Sequence, residues 1–294
     1  MTVPSLHIFL NSLLSGILLG GLFAVTALGL SLVFGVMRLI NLVHGEILVL
    51  GAYLSLELTR TFGLDPLLSI LLVAPALFLV SLPIFRFLLE PVMGRGPEPT
   101  LLTTFGLSII GQSLFILVFS GDTQSLQSSY SSSSVHLAGF RLPVMYLVSF
   151  GVAVVLCGGI DLLLRRTGFG REVRASSEDR DAAAALGVDV RRINLFVFAI
   201  AAACAGVGGV LVGTTFDFTP TSGLNYLLSG FAVVVLGGLG SVRGTFVGAL
   251  VLGVVESVGA AFVGDGYRDF IGLVVFLIVL TLRPQGLFGR GRFA

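Results

Sequence analysis

The sequence predicts an all-α, polytopic membrane helix bundle, and three observations predict it. Hydrophobic residues make up 55% and charged residues 11% of the 294, with a mean hydropathy of +1.04, a composition that does not stay in water. Apolar runs of about 20 residues, the length that crosses a hydrocarbon core of about 30 Å, recur along the chain. One long charged run, Arg165 to Arg192, interrupts them and holds seven of the 17 arginines. Between two spans such a run is a cytoplasmic loop, because short basic loops stay on that side.

Taken in order, the expected spans are Ile8 to Gly35, Leu42 to Leu58, Leu67 to Leu89, Leu101 to Phe119, Pro143 to Leu164, Ile193 to Phe216, Tyr226 to Leu239, Gly244 to Val263 and Tyr267 to Leu282. That makes eight or nine, with the last three short. Alternating sides outward from the charged loop puts 14 arginines on the cytoplasmic side, among them Arg38, Arg86, Arg95, Arg243, Arg283, Arg290 and Arg292. Only Arg60, Arg141 and Arg268 fall outside. The balance gives an outside N-terminus and a cytoplasmic C-terminus. The first apolar run has no basic region before it and no short core ending in a cleavage site, so it reads as a retained helix.

Composition also excludes chemistry. The chain has no Lys, and a Walker A phosphate loop needs one; if ATP drives the process, another chain hydrolyses it. Cys157 and Cys204 both fall inside spans, where Cys is a small buried apolar residue, so neither a disulfide nor a metal site is expected. The three histidines, His7, His44 and His136, are too scattered to form a ligand set. There is no HExxH sequence, nucleophile and base pair or paired catalytic carboxylates. The outside loop Ser120 to Leu142 is Ser-rich and reads as a flexible connector or a docking surface. Gly16-x-x-x-Gly20 and Gly244-x-x-x-Gly248 are spacings at which membrane helices approach closely.

Three constellations stand out. Within the charged loop, Ser176 to Gly187 reads as a short helix: Ser177 as N-cap, Glu178, Asp179 and Asp181 in the first turn, four Ala, and Gly187 as left-handed stop. Its small side chains suit a groove on another protein, or it is a solvated connector. The second is Arg38 to Glu46, at the start of the second span. Polar groups there are costly at membrane depth, and residues two apart on a helix, such as His44 and Glu46, do not face each other. Asn41, His44 and Glu46 therefore tie helices together or line a polar path. The third is the break at Gly237, Gly238 and Gly240, followed by a lone intramembrane carboxylate, Glu256. Interrupted hydrophobic segments of this kind point to a transport pathway.

Four ordered stretches, ALGLSLVFGVMRLINLVHGEILVLGAY, TGFGREVRASSEDRDAAAALGVDVRRIN, VVVLGGLGSVRGTFVGALVLGVVES and LRPQGLFG, resemble the inner-membrane permeases of ABC importers for branched-chain amino acids. The sequence is similar to the shorter of that family's two permeases, with I-N-x-x-H-G-E intact at Ile40 to Glu46. The resemblance implies one permease domain over 1–294, in the bacterial inner membrane. It implies import of leucine, isoleucine, valine or related small amides, with urea, short amides or other amino acids as the alternative. The implied partners are a second permease, two cytosolic ATPases and a periplasmic binding protein, with the lipid bilayer around them and no nucleic acid. No cofactor is implied on this chain; ATP and magnesium would sit on the partner ATPase. Gly170, Arg171, Arg174, Ala175, Asp179, Ala183, Leu186 and Gly187 match the family's ATPase-coupling loop, and the helix from about Glu178 to Leu186 is its docking element. A stand-alone ion-coupled transporter using Glu46 or Glu256 is the reading from another class.

Overall fold

The computed structural model describes residues 6–137, 139–282 and 286. Arg283, Arg290, Arg292 and most of the LRPQGLFG stretch lie outside the described residues. The elements in order are α1 (Leu6–Met37), α2 (His44–Phe62), α3 (Pro66–Ile84), a π-turn (Phe85–Leu89), α4 (Glu90–Met93), α5 (Pro97–Phe119), β1 (Ser134–Leu137) and β2 (Phe140–Pro143). They continue with α6 (Val144–Arg166), α7 (Gly168–Glu178), α8 (Arg180–Ala185), α9 (Val190–Thr215), α10 (Gly223–Gly237), α11 (Val242–Val263) and α12 (Arg268–Leu282). All nine expected spans are helical. Six are long and apolar enough to cross a membrane: α1, α3 with α4, α5, α6, α9 and α11. The others are shorter or more polar: α2 carries Glu46, Glu57 and Arg60 within 19 residues, and α10 and α12 have 15 residues each.

Burial separates centre from periphery. In their most apolar windows α1 and α9 are 78% buried, against 11% for α5 and 17% for α6, so α1 and α9 form the interior and the outward helices present apolar side chains to lipid. Apolar surface gives no drive between helices in lipid, so close packing must supply it. Glycine permits that approach: a β-carbon on Gly20 would lie 2.6 Å from the Leu250 Cα, and one on Gly16 would lie 2.7 Å from the Val254 Cα. Helix α1 thus runs antiparallel to α11, and the Thr245 hydroxyl donates to the Ser31 hydroxyl across the same seam at 2.7 Å. Gly244 and Gly248 face α10, against Gly237. Both expected small-residue spacings therefore pack helices.

The Ser-rich loop is folded, which rules out the flexible-connector reading. Gln124 and Phe218 form an antiparallel bridge, and the Leu126 amide donates to the Gly213 carbonyl at 2.8 Å. Strands β1 and β2 close a hairpin in register Ser134↔Pro143 to Leu137↔Phe140. Apolar anchors that the Ser-rich composition hides do the work: Leu126 is buried, and Phe119 and Phe218 pack against Tyr53 at 4.1 and 5.0 Å between ring centres. Asp65 caps α3 by accepting from the Leu67 amide at 2.9 Å and takes the Tyr130 hydroxyl at 2.6 Å. Burial, then the Asp65 carboxylate, raise the Tyr130 phenol above its ordinary value.

Two stability outcomes follow. Gly20→Leu should sharply lower the yield of monodisperse protein extracted in mild detergent, whereas Gly106→Leu, with nothing within 4 Å of its β-carbon, should extract like the parent. Asp65→Ala should cost about 1 kcal/mol as a lost N-cap and release the loop, read as a lower unfolding midpoint and faster proteolysis near Tyr130.

Candidate coupling surface and buried polar centre

The charged loop folds as two helices. Thr167 caps α7 by accepting from the Gly170 amide at 3.0 Å, and the chain turns so tightly from α6 that a β-carbon on Gly170 would overlap the Leu163 and Leu164 carbonyls. Arg174 then donates to the Leu164 carbonyl. Asp179, not Ser177, is the N-cap of α8: its Oδ1 accepts from the amides of Asp181 and Ala182, both at 3.0 Å. The Ser177 hydroxyl instead donates to the Arg174 carbonyl inside α7. The expected single helix is therefore corrected to α7 and α8, broken at Asp179, whose extended backbone frees its side chain to reach two amides. Gly187 is the left-handed stop, with φ +89°, and the Val188 amide returns to the Ala183 carbonyl at 3.0 Å, a helix-ending geometry that satisfies freed carbonyls.

The outward face of this loop differs from the expected one. Ala183 is 2% exposed and packs inward, while Leu186 is 85% exposed. Arg171, Ala175, Glu178 and Gly187 are also exposed. A groove of about 540 Å³ runs beside Leu186, lined by Phe169, Glu172, Asp189 and Arg192. An apolar tip thus projects beside a mixed-charge groove.

The loop is also bolted to the central helix by a reciprocal exchange. Arg38, just past the end of α1, donates to the carbonyl of Ser177 at 3.0 Å, at the end of α7. Arg180, opening α8, donates to the Met37 carbonyl at the end of α1. Each cation satisfies a free carbonyl at a helix C-terminus, Arg38 that of α7 and Arg180 that of α1, where the dipole favours positive charge. Burial, then the neighbouring Arg38 charge, lower the Arg180 guanidinium from its ordinary value. Arg38 holds φ +53°, a conformation rarely populated by a residue with a side chain.

Beyond Arg38 the chain turns back into the bundle. The His44 Nε2 donates to the Thr26 carbonyl at 2.8 Å; a carbonyl only accepts, so Nε2 carries the proton. Thr26 lies 11 residues before the end of α1, about 16 Å at the helical rise, which is roughly half of a hydrocarbon core. Helix α2 begins at that depth, and so does α10, because Gly45 and Gly223 meet backbone to backbone. Neither helix start has a side-chain cap. Glu46 lies at this junction. It is 4% exposed, a β-carbon on Gly223 would come within 3 Å of its carboxyl group, and Ser108 of α5 donates to its Oε1 at 3.1 Å. A carboxyl group beside two helix starts meets the partial positive charge of both. Glu46 Oε2, His44 Nδ1 and Asn41 Oδ1 are buried without a partner among the described residues.

The other expected path residues lie elsewhere. Gly237, Gly238 and Gly240 are at the opposite end of α10, where Gly240, at φ +80°, packs on Gly35. Glu256 lies against Gly272 and lines a small cavity with Asn225, Ser229 and Asp269. No group of three or more His, Cys, Asp or Glu residues among those described could hold a metal. Sequence reasoning missed Arg180, Ser108, Gly45 and Gly223, because each acts on a residue far away in the chain.

Six long apolar helices around a buried polar centre define a polytopic membrane protein. The chain belongs to the family described as "Branched-chain amino acid transport system / permease component", which it matches over residues 12–280. It is 30% identical to the high-affinity branched-chain amino acid transport system permease protein BraD of Pseudomonas aeruginosa, over 98% of each chain. It is also 30% identical to the permease protein LivH of Escherichia coli K12 over 96% of each. The permease protein LivM of the same organism is 30% identical over 90% of this chain and 67% of its own length. No solved structure matches.

If Glu46 serves both helix starts, Glu46→Leu should lower the unfolding midpoint in detergent, at a cost of about 1–3 kcal/mol for polar groups left unpaired. Glu46→Gln, which keeps an acceptor for Ser108, should lose less; equal losses would refute the role.

Proposed function

We propose that the chain is a membrane subunit of an ATP-driven importer of branched-chain amino acids, paired with a second permease and served by two cytosolic ATPases and an extracytoplasmic binding protein. The family and the names of its relatives support this reading. The observation that carries it is the exchange of Arg38 and Arg180, which ties the projecting α7–α8 loop to α1, one of the two most buried spans of the bundle. On this reading the loop faces the cytosol of a bacterial cell, with the C-terminus on the same side and the N-terminus opposite. ATP and magnesium act on the partner chain.

A docked ATPase that displaces α7 and α8 pulls on α6 and α9 through the loop's ends and on α1 through the two arginines. Movement of α1 reaches the Arg38–Val43 connector and, through it, the starts of α2 and α10 around Glu46. Gly170, Arg171, Arg174, Ala175, Glu178, Asp179, Leu186 and Gly187 shape the docking element, and Ala183 packs beneath it. Asn41, His44 and Glu46 mark the helix joint that this movement loosens, with Glu256 on the flank of α10. Helix α5 reaches α2 at Glu46, through Ser108 and Gly111, and at Tyr53, through Phe115 and Phe119, and on this reading the Glu46 end of that contact parts when the joint opens.

The test is reconstitution in liposomes with the co-purifying ATPase and second permease. Leucine uptake should require ATP, and Leu186→Arg should leave an inserted, folded chain that no longer retains the ATPase. Ala183→Arg should instead fail at folding. Uptake by the single chain under an imposed ion gradient, with no ATPase present, would overturn the reading.

A further inference from the structure

A second cavity, of about 560 Å³, opens on the charged-loop face between the π-turn and the starts of α8 and α9. Its walls include Arg86, Arg180, Arg191, Asn194 and Phe87, with Glu90 as the one acid. The positive charge is poorly compensated. The Arg86 guanidinium has neither a hydrogen bond nor an ion pair among the described residues, and Arg191 reaches Glu90 only at 3.9 Å. Arg180 spends one donor on the Met37 carbonyl. Asn194, 6% exposed, has a buried Oδ1 without a partner. Three cations around one buried amide form a pocket that an anion with a hydroxyl donor would satisfy.

The rim identifies the source of that anion. Phe87 is 72% exposed and the next residue, Leu88, is also exposed, on a span only 22% buried in its most apolar window. The mouth therefore adjoins the face that α3 presents to acyl chains. The π-turn itself, in which the Glu90 amide bonds the Phe85 carbonyl five residues back, lies between Pro83 and Pro91 and widens the helix there.

We propose that this cavity binds the headgroup of an anionic glycerophospholipid of the phosphatidylglycerol type. Its phosphate meets Arg86, Arg191 and Arg180, its glycerol hydroxyl meets Asn194 Oδ1, and its acyl chains lie along Phe87 and Leu88. Basic pockets at membrane-facing helix ends are suited to such headgroups, and Arg is the side chain that best matches phosphate geometry.

The experiment uses the full chain with its co-purifying subunits, delipidated in neutral detergent. Phosphatidylglycerol, phosphatidylcholine or inorganic phosphate is added, and retained lipid is read by native mass spectrometry beside the unfolding midpoint. The expected result is retention of phosphatidylglycerol with a raised midpoint, and neither effect from phosphatidylcholine or phosphate. The pair Arg86→Gln and Arg191→Gln should weaken retention roughly thirtyfold, at about fivefold per arginine near a charged surface. Arg95→Gln, outside the cavity, should match the parent. If the double variant does not extract as folded protein, Arg86→Gln alone is read in the same way. Unchanged retention in the folded variants, equal retention of phosphatidylcholine, or equal protection by inorganic phosphate each overturns the proposal.

Discussion

Two helix starts meeting in the middle of the bundle impose the condition on which the rest of the structure depends. The first amides of any helix lack intrahelical partners, and at membrane depth water is not there to supply them. Helices α2 and α10 begin face to face at the level of Thr26, each without a side-chain cap. At that junction lies one buried carboxyl group, that of Glu46, within reach of the partial positive charge of both helix starts, and glycine at both contact points lets the two starts come close beside it. The short lengths of α2 and α10 follow, since each starts part-way across instead of at a surface.

The same joint connects the interior to the charged loop. Helix α1 runs from the joint, where Thr26 accepts from His44, to the loop, where its last carbonyl accepts from Arg180. Seams of glycine and small hydroxyl side chains hold α1 rigidly against α11. A rigid rod with a polar joint at one level and a cationic clasp at its end carries displacement well, because close-packed interiors transmit strain instead of absorbing it. Helix α5 has no such glycine seam among the described residues: nothing lies within 4 Å of a β-carbon on Gly106, and one on Gly111 meets only the Glu46 side chain.

Particular residues show how far the chain could be read from its letters. The glycine stop at Gly187 and the polar group at Asn41, His44 and Glu46 were legible, because each signal is local. The break between α7 and α8 was not, because Ser177 and Asp179 are both good caps and only backbone geometry chooses between them. Nor was the inward face of Ala183: an alanine carries no mark of whether it packs inward or outward. The folded Ser-rich loop was hidden for a related reason, its order resting on Leu126, Tyr130 and partners in α2, α3 and α9.

By itself, then, the sequence determined the class of protein, the places of its helices and the segments carrying its polar groups, since hydropathy, charge and short-range grammar act over a few turns of chain. Which of those polar groups meet was decided only by tertiary structure. Arg38 with Ser177, Arg180 with Met37, Ser108 with Glu46 and Gly45 with Gly223 are pairs whose members lie tens to hundreds of residues apart, and neither member's local pattern names the other. Their meeting follows from the way the helices stack, and that stacking is settled by close contact at glycine across the whole bundle.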